Sequence, residues 1–201
     1  MELTSNRIVH SILIPSLIRL YAIDFDNIRL GVSERNICAR LAHHMENIIR
    51  EYDNSHNDSP FTGYFVDVEY NRMGNGDIKQ YENSEHRPKR MVCDLLIQSR
   101  GLPENLLAVE MKREGNSHCV EFDKVRLKSM VSTTNHLPNC VYNTLVGAFV
   151  SFSVDGVNVE LFKSNESGSG ESFGVLTFKC INEGDIITLR PDNNTIGISF
   201  E

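Results

Sequence analysis

The five cysteines of this 201-residue chain, Cys38, Cys93, Cys119, Cys140 and Cys180, never form a C-x-x-C pair. An odd number at wide spacing suits neither a zinc site nor a disulfide framework, and is expected of reduced thiols in a cytoplasmic protein. None of the seven histidines stands in an H-x-x-x-H pair. His43 and His44 are adjacent on a predicted helix, so they project about 100° apart and are expected to be structural rather than to share a metal. Long apolar runs are missing too. The longest is a few residues, against the ~20 needed to cross a bilayer, which points away from a membrane protein. A short apolar patch, Ile12 to Leu17, follows Glu2, Arg7 and His10 and has no small-residue cleavage site, so no secretory signal is expected. Nor is there an excess of positive charge. A net charge of −7 and a pI near 5.5 exclude a sequence-independent coat for nucleic acid, which uses a broad basic face. They do not exclude an enzyme that borrows local positive charge from a bound cation.

What remains is ordinary for a globular domain: 40% apolar and 23% charged residues, without internal repeats. A single domain over residues 1–201 is expected. Ile8, Ile12, Leu17, Leu20 and Tyr21 have helical spacing, predicting one helix in the first 24 residues, broken or begun at Pro15. Ser33 stands as an N-cap before a second helix reaching about Tyr52, with Ile37, Leu41, Met45, Ile48 and Tyr52 as its inner stripe. Tyr64 to Asn71 alternates as a half-buried strand does. Residues 73–88 are Gly, Asn and charge without period, and are expected to form a mobile loop. Met91 to Gln98 and Leu106 to Lys112 read as a hairpin with a longish joint. A helix from about His118 to Thr133 follows, its stripe carried by Val120, Lys124, Leu127, Met130 and Val131. Val141 to Val154 and Val157 to Phe162 are predicted to pair across Asp155-Gly156. Residues 164–172 have linker composition, and Phe173 to Phe200 reads as two or three short strands.

Three residues carry chemistry in this arrangement. Glu110 and Lys112 lie two apart in one predicted strand and so leave the same face, with Leu107, Val109 and Met111 opposite. Asp94 opens the preceding strand and comes beside Glu110 if the two strands pair. Two carboxylates and a lysine suit phosphodiester hydrolysis. Carboxylate oxygens are the hard ligands of Mg²⁺ or Mn²⁺, the cation polarises the phosphate and acidifies a water, and the ammonium orients that water. An ordinary solvent-facing pair at a strand end would show the same spacing. The pattern [D/E]-x-K also occurs at Asp77-Ile-Lys79, but in the loop stretch, with no apolar strand around it. Glu34 falls three and seven residues before Ile37 and Leu41, which aims a first-turn carboxylate inward. It reads either as a site group or as a charge favoured by the helix dipole. Glu69 and Asn71 share a strand face that borders the site or is simply solvated. Lys89, Arg90, Arg113, Lys124, Arg126 and Lys128 are candidates for phosphate contact or surface charges.

Cys93-Asp94 followed by Glu110-x-Lys112 is similar to the motif of the PD-(D/E)XK, or restriction-endonuclease-like, superfamily. Ser33-Glu34-Arg35 opening a helix, Asp67-Val-Glu-Tyr-Asn-Arg72, and Lys89-Arg90 ahead of the aspartate strand extend the likeness to compact prokaryotic members. It covers about residues 30–155, leaving an N-terminal helix and a C-terminal β-rich extension. Cys93 replaces the proline that names the motif, a residue of turn geometry rather than ligation. The resemblance implies an α/β fold with a central mixed β-sheet flanked by helices. It further implies catalytic Asp94, Glu110, Lys112 and Glu34, and a cation on Asp94, Glu110, Glu34 and the backbone carbonyl of Met111. The expected function is a metal-dependent nuclease acting on nucleic acid, DNA ahead of RNA, in defence or repair. Cutting both strands needs two sites, which suggests a homodimer. The alternatives are a non-catalytic nucleic-acid-binding module of the same fold and an accessory subunit.

Overall fold

In the computed structural model the described residues are 3–69, 78, 80–83, 85, 87–90, 92–99, 105–134, 143–184 and 186–192. The first helical stretch runs from Ser5 to Arg29, with a kink at Asp24. It comprises α1 (Ser5–Ile8), a π-helical turn (Val9–Leu13) and α2 (Ile14–Arg29). Pro15 does not break this stretch, but it stands in the first turn of α2, directly after the π-helical turn. A proline lacks an N–H and crowds the preceding turn, and here that turn is widened, with the Ile14 N–H reaching the Val9 carbonyl five residues back. The expected end near residue 24 is also corrected. Only the backbone of Asp24 leaves helical geometry (φ −113°, ψ 17°), and the helix resumes to Arg29. The 25 residues Ser5–Arg29 are long and apolar enough to cross a membrane by length and composition, which the short unbroken runs concealed. Here Ile8, Val9, Ile12, Leu13, Leu17, Leu20 and Tyr21 are buried in the protein core.

Ser33 caps α3 (Glu34–Ser55), its hydroxyl accepting from the Asn36 N–H at 3.3 Å. The stripe predicted for this helix is the one it buries, from Ile37 through Ile48. Strand β1 (Tyr64–Val68) stops earlier than the alternation suggested, because Glu69 adopts φ 50° and leaves the strand. Asn71, Asp77 and Lys79 lie outside the described residues. Part of the expected loop at 73–88 is instead a small antiparallel pair, β2 (Gln80–Glu82) with β3 (Pro88–Arg90).

The remaining elements are β4 (Leu95–Ser99), β5 (Asn105–Arg113), α4 (Val120–Val131), β6 (Val146–Ser153), β7 (Gly156–Ser164), β8 (Gly170–Glu183) and β9 (Ile186–Pro191). They build a mixed sheet in the order β1-β4-β5-β6-β7-β8-β9. Among the described residues β5–β6 is its one parallel pair, and a parallel pair needs a crossover, which α4 supplies. The sheet has two covered faces. Leu95, Ile97, Leu107, Val109 and Met111 face the α2 and α3 side, while Leu96, Ala108 and Phe149 join Leu127, Met130 and Val131 of α4. This period-2 division of β5 sends Glu110 and Lys112 toward α4.

Two turns differ from expectation. Ser153 pairs with Gly156, so the β6–β7 turn is Val154-Asp155 and Gly156 already belongs to β7. Gly156 takes φ 150°, and a Cβ there would lie 2.0 Å from the Phe178 carbonyl oxygen. Residues 165–169 are a fixed hairpin turn rather than a linker. The Asn165 side-chain oxygen accepts from Ser167 and Ser169 N–H groups at 3.0 Å, and Gly168 O accepts from Thr133 N at the end of α4. Small residues are there because α4 is close: a Cβ on Gly170 would sit 2.0 Å from the Lys128 carbonyl.

Candidate functional site

β4 pairs with β5 in the register Leu95↔Val109, so one step further Asp94 stands opposite Glu110. Its Oδ2 accepts from the Met111 N–H at 2.8 Å, and its own carbonyl accepts from Glu69 N at 3.1 Å. The N–H and C=O of an extended residue leave on the same edge, so the Met111 carbonyl faces the Asp94 side as well. Glu110 is 2% exposed and its Oε1 accepts from Arg126 Nη1 at 2.7 Å. Burial drives the Glu110 pKa well above the carboxylate range; Arg126 opposes this, and Asp94 and Asp123 add to it. Burial likewise raises the Asp94 pKa against its hydrogen bond from Met111.

Lys112 extends from the same face to lie 3.9 Å from Glu34 Oε2 and 3.5 Å from Asp123 Oδ2. Burial disfavours the ammonium, but Asp123, Glu34 and Asp94 outweigh it and hold the pKa above the usual lysine value. Glu34, in the first turn of α3, accepts from the Arg113 N–H and from Asn116 Nδ2, both at 2.9 Å. Burial would raise its pKa, yet these donors and Lys112 bring it below the ordinary value. Glu34 therefore reaches the end of β5 from the opposite layer, closing the cluster on that side.

Sequence reasoning missed Asp123. This residue is 3% exposed; its Oδ1 accepts from Arg126 Nη2 at 2.9 Å, and among the described residues its Oδ2 makes no hydrogen bond. A signal was available, the same one that singled out Glu34. Asp123 stands four and seven residues before Leu127 and Met130, on the buried stripe of α4, at the place the helical spacing above gives to Lys124.

The proposed phosphate contacts divide. Arg126 is committed to Glu110, Asp123 and the Val92 carbonyl. Arg113 donates to the Ile28 and Val32 carbonyls at 3.0 and 2.9 Å and tethers the end of α2 to β5. Lys124 pairs with Glu160 at 2.8 Å, and Lys128 lies over the Phe162 ring. Lys89 and Arg90 are exposed on β3. Glu69 is held in an ion pair with Arg35, in the first turn of α3. His44 is buried against Asp24 Oδ2 at 2.6 Å, whereas His43 is exposed.

Four carboxylates, Glu34, Asp94, Glu110 and Asp123, thus share three cationic side chains, Lys112, Arg113 and Arg126. Among the described residues no three Asp, Glu, His or Cys side chains converge as a ready cage for a metal ion. The donor set nonetheless fits Mg²⁺ or Mn²⁺, which takes hard oxygens and commonly only one or two carboxylates with waters. Asp94 and Glu110 provide these, and their shared desolvation and repulsion are what a dication relieves. No family model, curated protein or solved structure matches the chain.

Proposed function

We propose that the protein is a metal-dependent nuclease of the restriction-endonuclease-like type, hydrolysing phosphodiester bonds of nucleic acid, DNA ahead of RNA. The observation that carries this reading is the pairing that sets Asp94 opposite Glu110, with Lys112 on the same strand face and Glu34 arriving from α3. The mixed sheet flanked by helices agrees with the fold that the sequence motif implies. Asp94 and Glu110 would hold a Mg²⁺ or Mn²⁺ ion, with the Met111 carbonyl on the same edge and Glu34 bordering it. When bound, the cation supplies Lewis-acid polarisation of the phosphate and a more acidic water. Lys112, kept cationic between Asp123 and Glu34, orients the attacking water and counters charge on the phosphate. Defence or repair in a cytoplasm, as a homodimer when both strands are cut, is the setting that suits such an enzyme.

One observation favours a second reading, a non-catalytic module of the same fold: Arg126 already neutralises Glu110 at 2.7 Å. Nicking of supercoiled plasmid at ~5–10 mM Mg²⁺ or Mn²⁺, a range suited to weak sites with few protein ligands, separates the two. Thermal melts locate the site. A cation that binds only the folded state raises the melting temperature, and Asp94→Asn and Glu110→Gln are each expected to lose most of that rise. Lys112→Ala is expected to keep it and fail to nick. Equal metal shifts in the wild type and both carboxylate variants would sink the assignment.

A further inference from the structure

We propose that Asp123 is a positioning residue: with Arg126 as its anchor, it aims the Lys112 ammonium at the carboxylate cluster. The effect on cleavage rests on the nuclease reading; the hold on Lys112 does not.

Four side chains form a chain of alternating charge, from Glu110 through Arg126 and Asp123 to Lys112. Arg126 reaches Glu110 at 2.7 Å and Asp123 at 2.9 Å, and Asp123 reaches Lys112 at 3.5 Å. Glu110 and Lys112 are two apart on a strand, roughly 7 Å. Asp123 and Arg126 are three apart on a helix, roughly 5–6 Å. The helix pair therefore spans the strand pair, one helix residue to each strand residue. Such a brace has work to do, because a lysine side chain is a flexible four-carbon stem with no fixed direction of its own.

Two simpler roles for Asp123 explain less. A first-turn carboxylate that merely complements the helix dipole needs no burial, and Glu121 already stands exposed in that turn. A counter-ion for Arg126 is supplied by Glu110. Neither accounts for Asp123 Oδ2, a buried carboxylate oxygen that makes no hydrogen bond among the described residues. Burying such an atom is costly unless a charge faces it, and the group that faces it is Lys112. Glu34 is the weaker holder, since it is more distant and its other oxygen is occupied by Arg113 N and Asn116.

Lysine-selective ¹⁵N NMR tests the hold directly. In the wild type the Lys112 ammonium, assigned by its loss in Lys112→Arg, is expected to exchange protons slowly and move little, unlike exposed Lys89. Asp123→Asn should release it, Asp123→Glu should recapture it, and Glu34→Gln should change it less. A Lys112 ammonium as mobile as Lys89 in the wild type overturns the brace even if Asp123→Asn fails to fold. With plasmid and Mn²⁺, Asp123→Asn is expected to lower turnover roughly 10- to 100-fold, the scale of a misplaced catalytic group. The metal-induced melting shift should persist, and Asp123→Glu should restore cutting. Full turnover in Asp123→Asn overturns the positioning role. A wild type that never cuts refutes the nuclease reading alone, and the NMR result then still decides the brace.

Discussion

Asp24 shows what one buried carboxylate does where a helix bends. Its Oδ1 accepts from Arg40 Nε at 2.8 Å and its Oδ2 meets His44 Nε2 at 2.6 Å, stitching α2 to α3 at the point where α2 departs from helical backbone. Burial works to raise the Asp24 pKa, but Arg40 and His44 prevail and hold it below the usual aspartate value. A depressed carboxyl pKa contributes stability that is present above the unfolded-state value and is lost as pH falls through the folded one. Asp24→Asn is therefore expected to cost roughly 1–3 kcal/mol near neutrality, the range for hydrogen bonds to charged groups. The gap to wild type should close as pH drops below about 4. Urea melts at stepped pH check this, and a gap independent of pH rules it out. At this scale the sequence was readable wherever charge interrupts an apolar stripe, as at Glu34. It was unreadable where a partner comes from a distant element: nothing local pairs Arg126 with Glu110.

Elements declared themselves where one face is apolar and the other polar. The second half of β5 alternates because Val109 and Met111 enter one core while Glu110 and Lys112 meet charged partners on the other side. Composition failed at residues 164–172, because Ser, Gly and Asn serve a solvated linker and a packed turn equally well, and only the proximity of α4 separates the two. Pro15 misled for a related reason, since a π turn accommodates it at no break in the helix. The β6–β7 hairpin offers an element-scale test. The Tyr21 hydroxyl of α2 donates to the carbonyls at the base of its turn, Ser153 and Gly156, and Gly156 fits only without a Cβ. Gly156→Ala is expected to destabilise by roughly 1–3 kcal/mol through strain at positive φ and overpacking, read as a lower denaturation midpoint. An unchanged midpoint would mean that β7 and β8 part more easily there than their packing implies.

For the whole molecule the surprise is the N-terminal helical stretch, whose residues line the same core as β4, β5, β6 and β7. The apolar stripe Ile8, Ile12, Leu17, Leu20 and Tyr21 announced a face to bury, but not which strands would cover it. The order of strands in the sheet was likewise invisible, because pairing partners are chosen by long-range packing rather than by period. Removal of residues 1–29 is expected to abolish a cooperative thermal transition rather than release a trimmed domain, since Leu17, Leu20 and Tyr21 would leave a hole no side chain can fill. Calorimetry of the truncated chain measures it, and a sharp transition there would show the core to be self-sufficient without the helix.

The parallel join between β5 and β6 also has a consequence in time. Strands β4 and β5, and separately β6 through β9, can zip as neighbouring hairpins, whereas β5 meets β6 only after the chain has crossed through α4. Contacts of long sequence separation form late. Glu110 sits in that join, opposite Phe149 of β6, and its brace from α4 is part of the crossover. A ribosome-bound chain that has already emerged with Asp94, Glu110 and Lys112 thus carries these charged residues without the seam that arranges them. On the proposed nuclease reading, hydrolytic competence would arrive at the end of folding, as a property of the finished chain.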